Sequence, residues 1–226
     1  MSASRFCQDR PTGDVRPFEG TLSRLGWPEG SRFLLAANYY TGYEHSIPGT
    51  TSSGETEFEK KHNFFVISCR YEHYLKVFKP FILGLSVDGV YSNKPVLNNY
   101  VSSLLLATPY SPTSLMKSMF LENYRAYSYG AAGLKTIFKL FKSFDLRVEG
   151  YVFLPYEKIS LSDNRAGVAL SQPFSYYYFA GTAELVYQSP VCPISISMNY
   201  FDQDGNQFLF LFNIGYLIFN QSRFYR

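Results

Sequence analysis

The sequence is short of charge. Lys and Arg number 21 and Asp and Glu 18, so that charged residues make up 17% of the 226, against roughly 25% in ordinary soluble domains. Tryptophan occurs once and histidine three times, with three cysteines. No run approaches the roughly 20 apolar residues of a membrane-spanning helix, and the mean hydropathy is −0.12, which excludes a helical membrane protein. A net charge of +3 with no dense Lys/Arg run argues against a nucleic-acid partner. Cys7, Cys69 and Cys192 have neither metal-ligand spacing nor a disulfide framework. The start, Met1-Ser-Ala-Ser-Arg-Phe-Cys-Gln-Asp-Arg10, has no apolar h-region. It implies either a cytosolic chain or a truncated piece of a longer one.

Aromatics are abundant: Phe 21, Tyr 20 and Trp 1, or 19%. An aromatic-rich chain is not disordered. From Ser31 onward the hydrophobic period is two. Eight runs alternate: 32–42, 62–76, 79–92, 124–140, 144–156, 175–188, 191–201 and 207–219. In 144–156, Leu146, Val148, Val152 and Leu154 oppose Asp145, Arg147 and Glu149. At roughly 10 to 16 residues the runs exceed the usual 5 to 6 of a soluble strand; a tilted membrane strand needs about 9 to 11. The connections alternate as well. Short turns fall near Val77-Phe78, Lys142-Ser143 and Ser189-Pro190, and longer loops at 45–61, 93–123 and 157–174. Short turns at one end and long loops at the other suit an outer-membrane barrel. So do aromatics at strand ends: Tyr39, Tyr40, Tyr43, Tyr91, Tyr156, Tyr176, Tyr177, Tyr178, Phe201 and Phe219. The expected fold is an all-β, antiparallel up-and-down transmembrane barrel, with a soluble lipid-binding barrel as the alternative. Residues 1–24 read as an irregular remnant, 25–220 as the barrel segment and 221–226 as a tail.

Parity assigns the faces. Phe65, Ile67, Phe81, Leu83, Val148, Val152, Leu185, Ile196, Phe210 and Phe212 should face lipid. Arg70, Asp88, Lys135, Arg147, Glu149, Glu184 and Asn213 should face a wet lumen, because Arg or Lys at the lipid midplane costs roughly 2 to 4 kcal/mol. Catalytic chemistry finds little support. Ser114-Leu-Met-Lys117 matches Ser-x-x-Lys, but its Lys-Thr-Gly partner is missing from the sequence. His62 and His73 are eleven residues apart, too far along one strand to share a metal. Asp202-Gln-Asp-Gly205 reads as a hairpin turn rather than a calcium loop. No metal and no cofactor are expected.

Several segments together resemble the C-terminal barrel of Bacteroidetes-type patatin-like phospholipases, within the superfamily of barrel-assembly factors and two-partner-secretion transporters. They are Trp27-Pro-Glu-Gly-Ser-Arg-Phe33, Pro48-Gly-Thr-Thr51, Asn98-Asn-Tyr100, Ser103-Leu-Leu-Leu-Ala-Thr-Pro109 and Met119-Phe-Leu-Glu-Asn-Tyr-Arg-Ala-Tyr127. Ala131-Ala-Gly-Leu-Lys135, Val186-Tyr-Gln-Ser-Pro190 and the final run complete them. In that run Asn213, Gly215 and Phe219 look like a C-terminal outer-membrane insertion signal. The resemblance covers roughly 24–220 and implies the second half of a sixteen-stranded barrel. It also implies a Gram-negative outer membrane, contact with lipid and with the barrel-assembly machinery, and a missing barrel half or a second copy of the chain as partner. A bacterial surface antigen that anchors, and helps export, a hydrolase is the implied role; a transporter barrel without hydrolase is the alternative. The family's Gly-x-Ser-x-Gly elbow does not occur here, and Gly84-Leu-Ser-Val-Asp-Gly89 lacks the spacing, so no enzymatic activity is expected of this chain. In the superfamily the loop matching 93–123 folds into the lumen and ends in a Val/Ile-Arg-Gly-Phe/Tyr motif. Tyr124-Arg125-Ala126-Tyr127 stands in its place, and Arg125 is expected within salt-bridge reach of Glu149, or failing that Glu184, because an unpaired buried charge is costly.

Overall fold

The computed structural model describes residues 30–47, 57–141, 143–162, 167–189, 192–203 and 208–215, and the backbone of 3–8 and 18–21. Among the described residues, fourteen strands and one α-helix occur in the order β1 (Ala3–Gln8), β2 (Phe18–Thr21), β3 (Gly30–Ile47), β4 (Phe58–Phe78), β5 (Phe81–Ser92), α1 (Tyr100–Leu105), β6 (Thr108–Pro109), β7 (Arg125–Ala126), β8 (Tyr129–Phe141), β9 (Phe144–Pro155), β10 (Ile159–Leu161), β11 (Val168–Leu170), β12 (Tyr178–Gln188), β13 (Pro193–Phe201) and β14 (Phe208–Ile214). Eight of them, β3, β4, β5, β8, β9, β12, β13 and β14, pair in sequence as one antiparallel sheet. Sequential antiparallel pairing follows from the short turns, which cannot carry a parallel crossover. Among the described residues no ladder joins β14 back to β3, so the described sheet has two edges.

Three expectations need correction. Residues 1–24 are not wholly irregular: β1 runs antiparallel along β3 from Ala3↔Ile47 to Gln8↔Gly42, and β2 pairs with its other half, Phe18↔Leu35. The unpaired edge of a long strand recruits any nearby chain that can supply N–H and C=O groups. The first short turn is Lys79-Pro80, two residues beyond Val77-Phe78. Finally, 93–123 is not a plain loop, because it holds α1, β6 and 3-10 turns at Met116–Ser118 and Glu122–Tyr124. Residues 157–174 likewise hold the β10–β11 hairpin. Trp27, 48–51, 204–206 and Phe219 lie outside the described residues, as does the side chain of Cys7.

The period-two pattern gives the sheet two unlike faces. One is bare. Phe33, Leu35, Ile67, Leu85, Leu134, Val148, Leu185, Ile196, Phe210 and Phe212 are all exposed on it. Its outward positions between the two strand ends carry no Asp, Glu, Lys or Arg among the described residues. The other face is covered by the segment 93–128. The largest buried cluster joins Tyr110, Met116, Leu121, Tyr124 and Ala126 of that segment to Val90, Tyr129, Ala131, Tyr151, Phe153, Tyr178, Ala180 and Phe201 of the sheet.

Aromatics sort by height on the bare face. At the short-turn end a chain of ring contacts runs Phe78–Phe81 (5.4 Å), Phe81–Phe138 (4.6 Å), Phe141–Phe144 (6.5 Å) and Phe144–Tyr187 (4.8 Å). At the long-loop end stand Phe65–Tyr91 (5.8 Å), Tyr156–Phe174 (5.3 Å), Tyr177–Phe179 (5.5 Å) and Tyr200–Phe208 (5.2 Å). Tyr40, Tyr178 and Phe201, expected with the strand-end aromatics, instead point to the covered face, where Tyr178 and Phe201 are buried.

Two glycines on the covered face admit cross-strand tyrosines. Gly84 pairs with Tyr74 and Gly133 with Tyr151, and each ring lies over its glycine. A Cβ on Gly133 would sit 2.6 Å from both Tyr151 Cε1 and Ser86 Oγ. Strand glycine of this kind marks a close approach rather than a flexible point. Gly133→Ala is expected to cost about 1–3 kcal/mol by overpacking, read as a lowered urea midpoint. Gly130→Ala, whose Cβ meets nothing within 4 Å, is the comparison, and equal midpoints for the two variants would contradict the packing.

Candidate functional site

The candidate site is the covered face with the segment docked on it. The charged residues expected to share a face do share one. Inward parity on four consecutive strands places Arg70 and Glu72 on β4, Asp88 on β5, Lys135 on β8, and Arg147 and Glu149 on β9. Directly opposed residues pair in Arg70–Asp88 and Arg147–Glu184, whereas Lys135 of β8 reaches across β5 to Glu72 of β4. Arg70 Nε lies 2.5 Å from Asp88 Oδ2. Lys135 Nζ lies 3.0 Å from Glu72 Oε1, and Arg147 Nη1 lies 3.7 Å from Glu184 Oε2. Glu149 accepts from the Tyr151 hydroxyl at 2.6 Å. Beyond them Thr182 Oγ1 donates to Asn199 Oδ1 at 2.9 Å. Asn213 lies half-buried on β14 opposite Ser195.

The segment 93–128 is anchored at three places. At its start Glu44, buried on β3, accepts from the Asn98 amide at 2.8 Å, and its other oxygen lies 2.9 Å from buried His62 Nε2. Asn99 caps α1, accepting from Val101 N at 2.9 Å and Ser102 N at 3.2 Å, as asparagine does where first-turn amides have no helical partner. In the middle, Tyr110 stacks on Phe153 at 5.4 Å. At its end Tyr124, 1% exposed, donates to the Phe179 carbonyl at 2.5 Å and accepts from the Asp202 amide at 2.9 Å. Burial holds the Tyr110 and Tyr124 hydroxyls well above their ordinary pKa.

The expected Arg125 pair does not form. Arg125 Nη1 donates to the carbonyls of Leu105 (3.1 Å), Ala107 (3.3 Å) and Leu104 (3.4 Å), and its guanidinium lies 4.4 Å from the Phe120 ring centroid. The C-terminal carbonyls of α1 supply the negative pole that a carboxylate was expected to supply. Glu149 takes the Tyr151 hydroxyl and Glu184 takes Arg147. Ala126 is fully buried and pairs with Thr108, and Tyr127 packs against Lys94. Gly215 stands one residue beyond β14 with φ +107°, and its amide donates to the Pro193 carbonyl at 2.9 Å. It bends the chain at the strand's end rather than lying inside the strand.

Lys94 escaped the sequence reading because nothing in 93–123 suggested burial. Its Nζ donates to the Leu106 carbonyl at 3.0 Å and lies over the rings of Phe64 (5.0 Å) and Tyr127 (5.4 Å). Burial pushes its pKa down to about 7. The unfolded chain therefore binds more protons than the docked one between about pH 7 and about pH 10.5, and docking strengthens as pH rises through that window. Lys94→Met removes this dependence. At pH 7 the variant is expected to be more stable than the parent, on the order of 2–4 kcal/mol, and the gain should fade by pH 10. A gain that is the same at both pH values would contradict a depressed Lys94.

The fold thus defines an all-β antiparallel sheet of eight long sequential strands, one face bare and apolar, the other polar and covered by a structured segment. No family model, no curated protein and no solved structure matches the chain.

Proposed function

We propose that this chain is part of a transmembrane β-barrel of a bacterial outer membrane, its bare face against lipid and its covered face toward the lumen. One observation carries the reading: among the described residues a face eight strands wide has no Asp, Glu, Lys or Arg between its two strand ends, where aromatic pairs gather, and is mostly apolar in between. A soluble protein rarely leaves an apolar surface of that extent in water. The dimensions agree. The 12 residues of β9, at about 3.4 Å each, run roughly 37 Å; at a tilt of about 40° this spans roughly 28 Å, close to the roughly 25 Å apolar band of outer-membrane barrels.

Open sheet edges are not tolerated in hydrocarbon. The reading therefore includes a partner for the edge at β14 and for the edge that β1 and β2 form beside β3, either a further barrel half or a second copy. The resemblance to patatin-like phospholipase barrels supports an anchoring and export role for a hydrolase encoded elsewhere in the same protein, with chemistry outside these residues. Insertion would depend on the barrel-assembly machinery.

Refolding from urea into phospholipid vesicles tests the membrane placement. The chain should float with the vesicles and resist alkaline carbonate extraction. A monodisperse, folded chain in detergent-free buffer would contradict it. The hydrolase role is tested on the DNA upstream of Met1: an in-frame Gly-x-Ser-x-Gly supports it, and a different upstream domain overturns it.

A further inference from the structure

Where the segment 93–128 leaves β5 and returns to β8 lies a cavity of about 350 Å³, several times the roughly 30 Å³ that one water occupies. Its frame is pinned where the segment begins and ends. Ser128 Oγ accepts from the Ser92 amide at 3.0 Å and donates to the Ser92 carbonyl at 3.2 Å, and the Tyr156 amide donates to the Ser128 carbonyl at 2.8 Å. Those bonds hold the backbone beside Tyr91, Tyr127 and Tyr156, which line the cavity with Leu170. Lys94 and Glu157 line it too. The Lys94 amine donates to the Leu106 carbonyl and lies over the rings of Phe64 and Tyr127. In a neutral amine, contacts of both kinds use N–H bonds and not the nitrogen lone pair. Burial shifts Lys94 toward that neutral, nucleophilic form.

A desolvated amine on the wall of a cavity adds to carbonyl carbon. The wall selects among aldehydes: three tyrosine rings and a leucine suit a flat, unsaturated body better than a hydrated sugar or a short alkyl chain. We propose that Lys94 is a covalent modification site, which captures a small aromatic aldehyde in this cavity as an imine. The nitrogen lone pair bonds to the aldehyde carbon as the carbonyl π pair moves to oxygen. One of the two amine protons passes to that oxygen, giving the carbinolamine. Glu157 carries the second from nitrogen to the hydroxyl, which leaves as water while the nitrogen lone pair closes the C=N bond. Amine and aldehyde thus become imine and water with nothing oxidised or reduced. The inference does not rest on the membrane reading, because the segment and the strand ends build the cavity whatever lies against the bare face.

The test uses the full chain, folded in detergent micelles or, if it folds without them, in buffer. It is incubated at pH 7 with benzaldehyde and sodium cyanoborohydride, which reduces each imine to a stable benzylamine, and the labelled lysines are located by mass spectrometry. At pH 7 a lysine of ordinary pKa is neutral in roughly one molecule in 3,000, whereas one near pKa 7 is neutral in about half. Lys94 should therefore be labelled at least about tenfold faster than exposed Lys60, and the preference should vanish in urea. Propanal, which lacks the ring, should show a Lys94-to-Lys60 ratio about fivefold lower. Glu157→Gln should slow benzaldehyde labelling of Lys94 by about tenfold or more. The comparisons on the unsubstituted chain do not depend on variant folding. Equal rates at Lys94 and Lys60, a preference that persists in urea, an equal ratio for the two aldehydes or an unchanged rate in Glu157→Gln would overturn the proposal.

Discussion

Val148→Arg is expected to lower the stability of the chain folded in phospholipid vesicles by about 2–4 kcal/mol, the cost of an arginine near the lipid midplane. Val148 lies mid-strand on β9, on the bare face, flanked by Thr136 of β8 and Ala183 of β12. In water the same substitution at a 41% exposed position would change stability by about 0.5 kcal/mol or less. The expected effect therefore comes from the surroundings of the bare face and not from packing within the sheet. Asn213→Arg places the same side chain on the covered face, toward the cleft that Glu149 and Glu184 line, and is expected to cost less than about 1 kcal/mol. The two urea midpoints in vesicles form the measurement. Equal small shifts would put the bare face in water.

Tyr124→Ala should undock the segment 93–128. The ring packs on Phe153 at 5.8 Å and Tyr178 at 6.0 Å, and its removal opens a cavity costing about 3–5 kcal/mol. Tyr124→Phe separates the two contributions. It keeps the ring but removes the hydroxyl held between the Phe179 carbonyl and the Asp202 amide; because that amide still donates to the Phe179 carbonyl at 3.1 Å, the cost is about 0.5–1.5 kcal/mol. Hydrogen exchange reads both: amides of α1 and of the 3-10 turns should exchange faster in the order Ala, Phe, parent, while those at the centre of β9 change least. Uniform loss of protection across sheet and segment would mean that the segment does not undock on its own.

The strands were legible because alternation is a strong signal over ten or more residues. One parity carries Leu146, Val148 and Val152, the other Asp145, Arg147 and Glu149, and a one-residue slip would reverse every side chain. That pattern placed all the named bare-face and covered-face residues correctly. Alternation does not say where a strand stops. β3 and β4 continue through polar stretches such as Thr41–Ile47 and Phe58–Asn63 because each supplies the other's hydrogen bonds. β8 begins at Tyr129 rather than Tyr124, because the five residues before it turn back to bond with β6, Phe179 and Asp202. Arg125 shows a different limit. The need for a partner was physical and correct in kind, but the partner is a set of backbone carbonyls at the end of a six-residue helix. A helix that short has no clear periodicity to read. Lys94 was illegible for a related reason: its burial depends on how the whole segment docks, and a charged residue in an apparent loop reads as solvated.

Depth-resolved quenching tests the central claim most directly. Single-tryptophan variants, made with Trp27→Phe, would carry the reporter at Leu134 or Ile196 on the bare face, or at Thr182 on the covered face. Each is folded into vesicles whose acyl chains are brominated near the bilayer centre. Fluorescence from Leu134→Trp and Ile196→Trp should be strongly quenched, and that from Thr182→Trp should be quenched little. Unquenched emission from both bare-face positions in a fully folded chain would contradict lipid contact and, with it, the barrel.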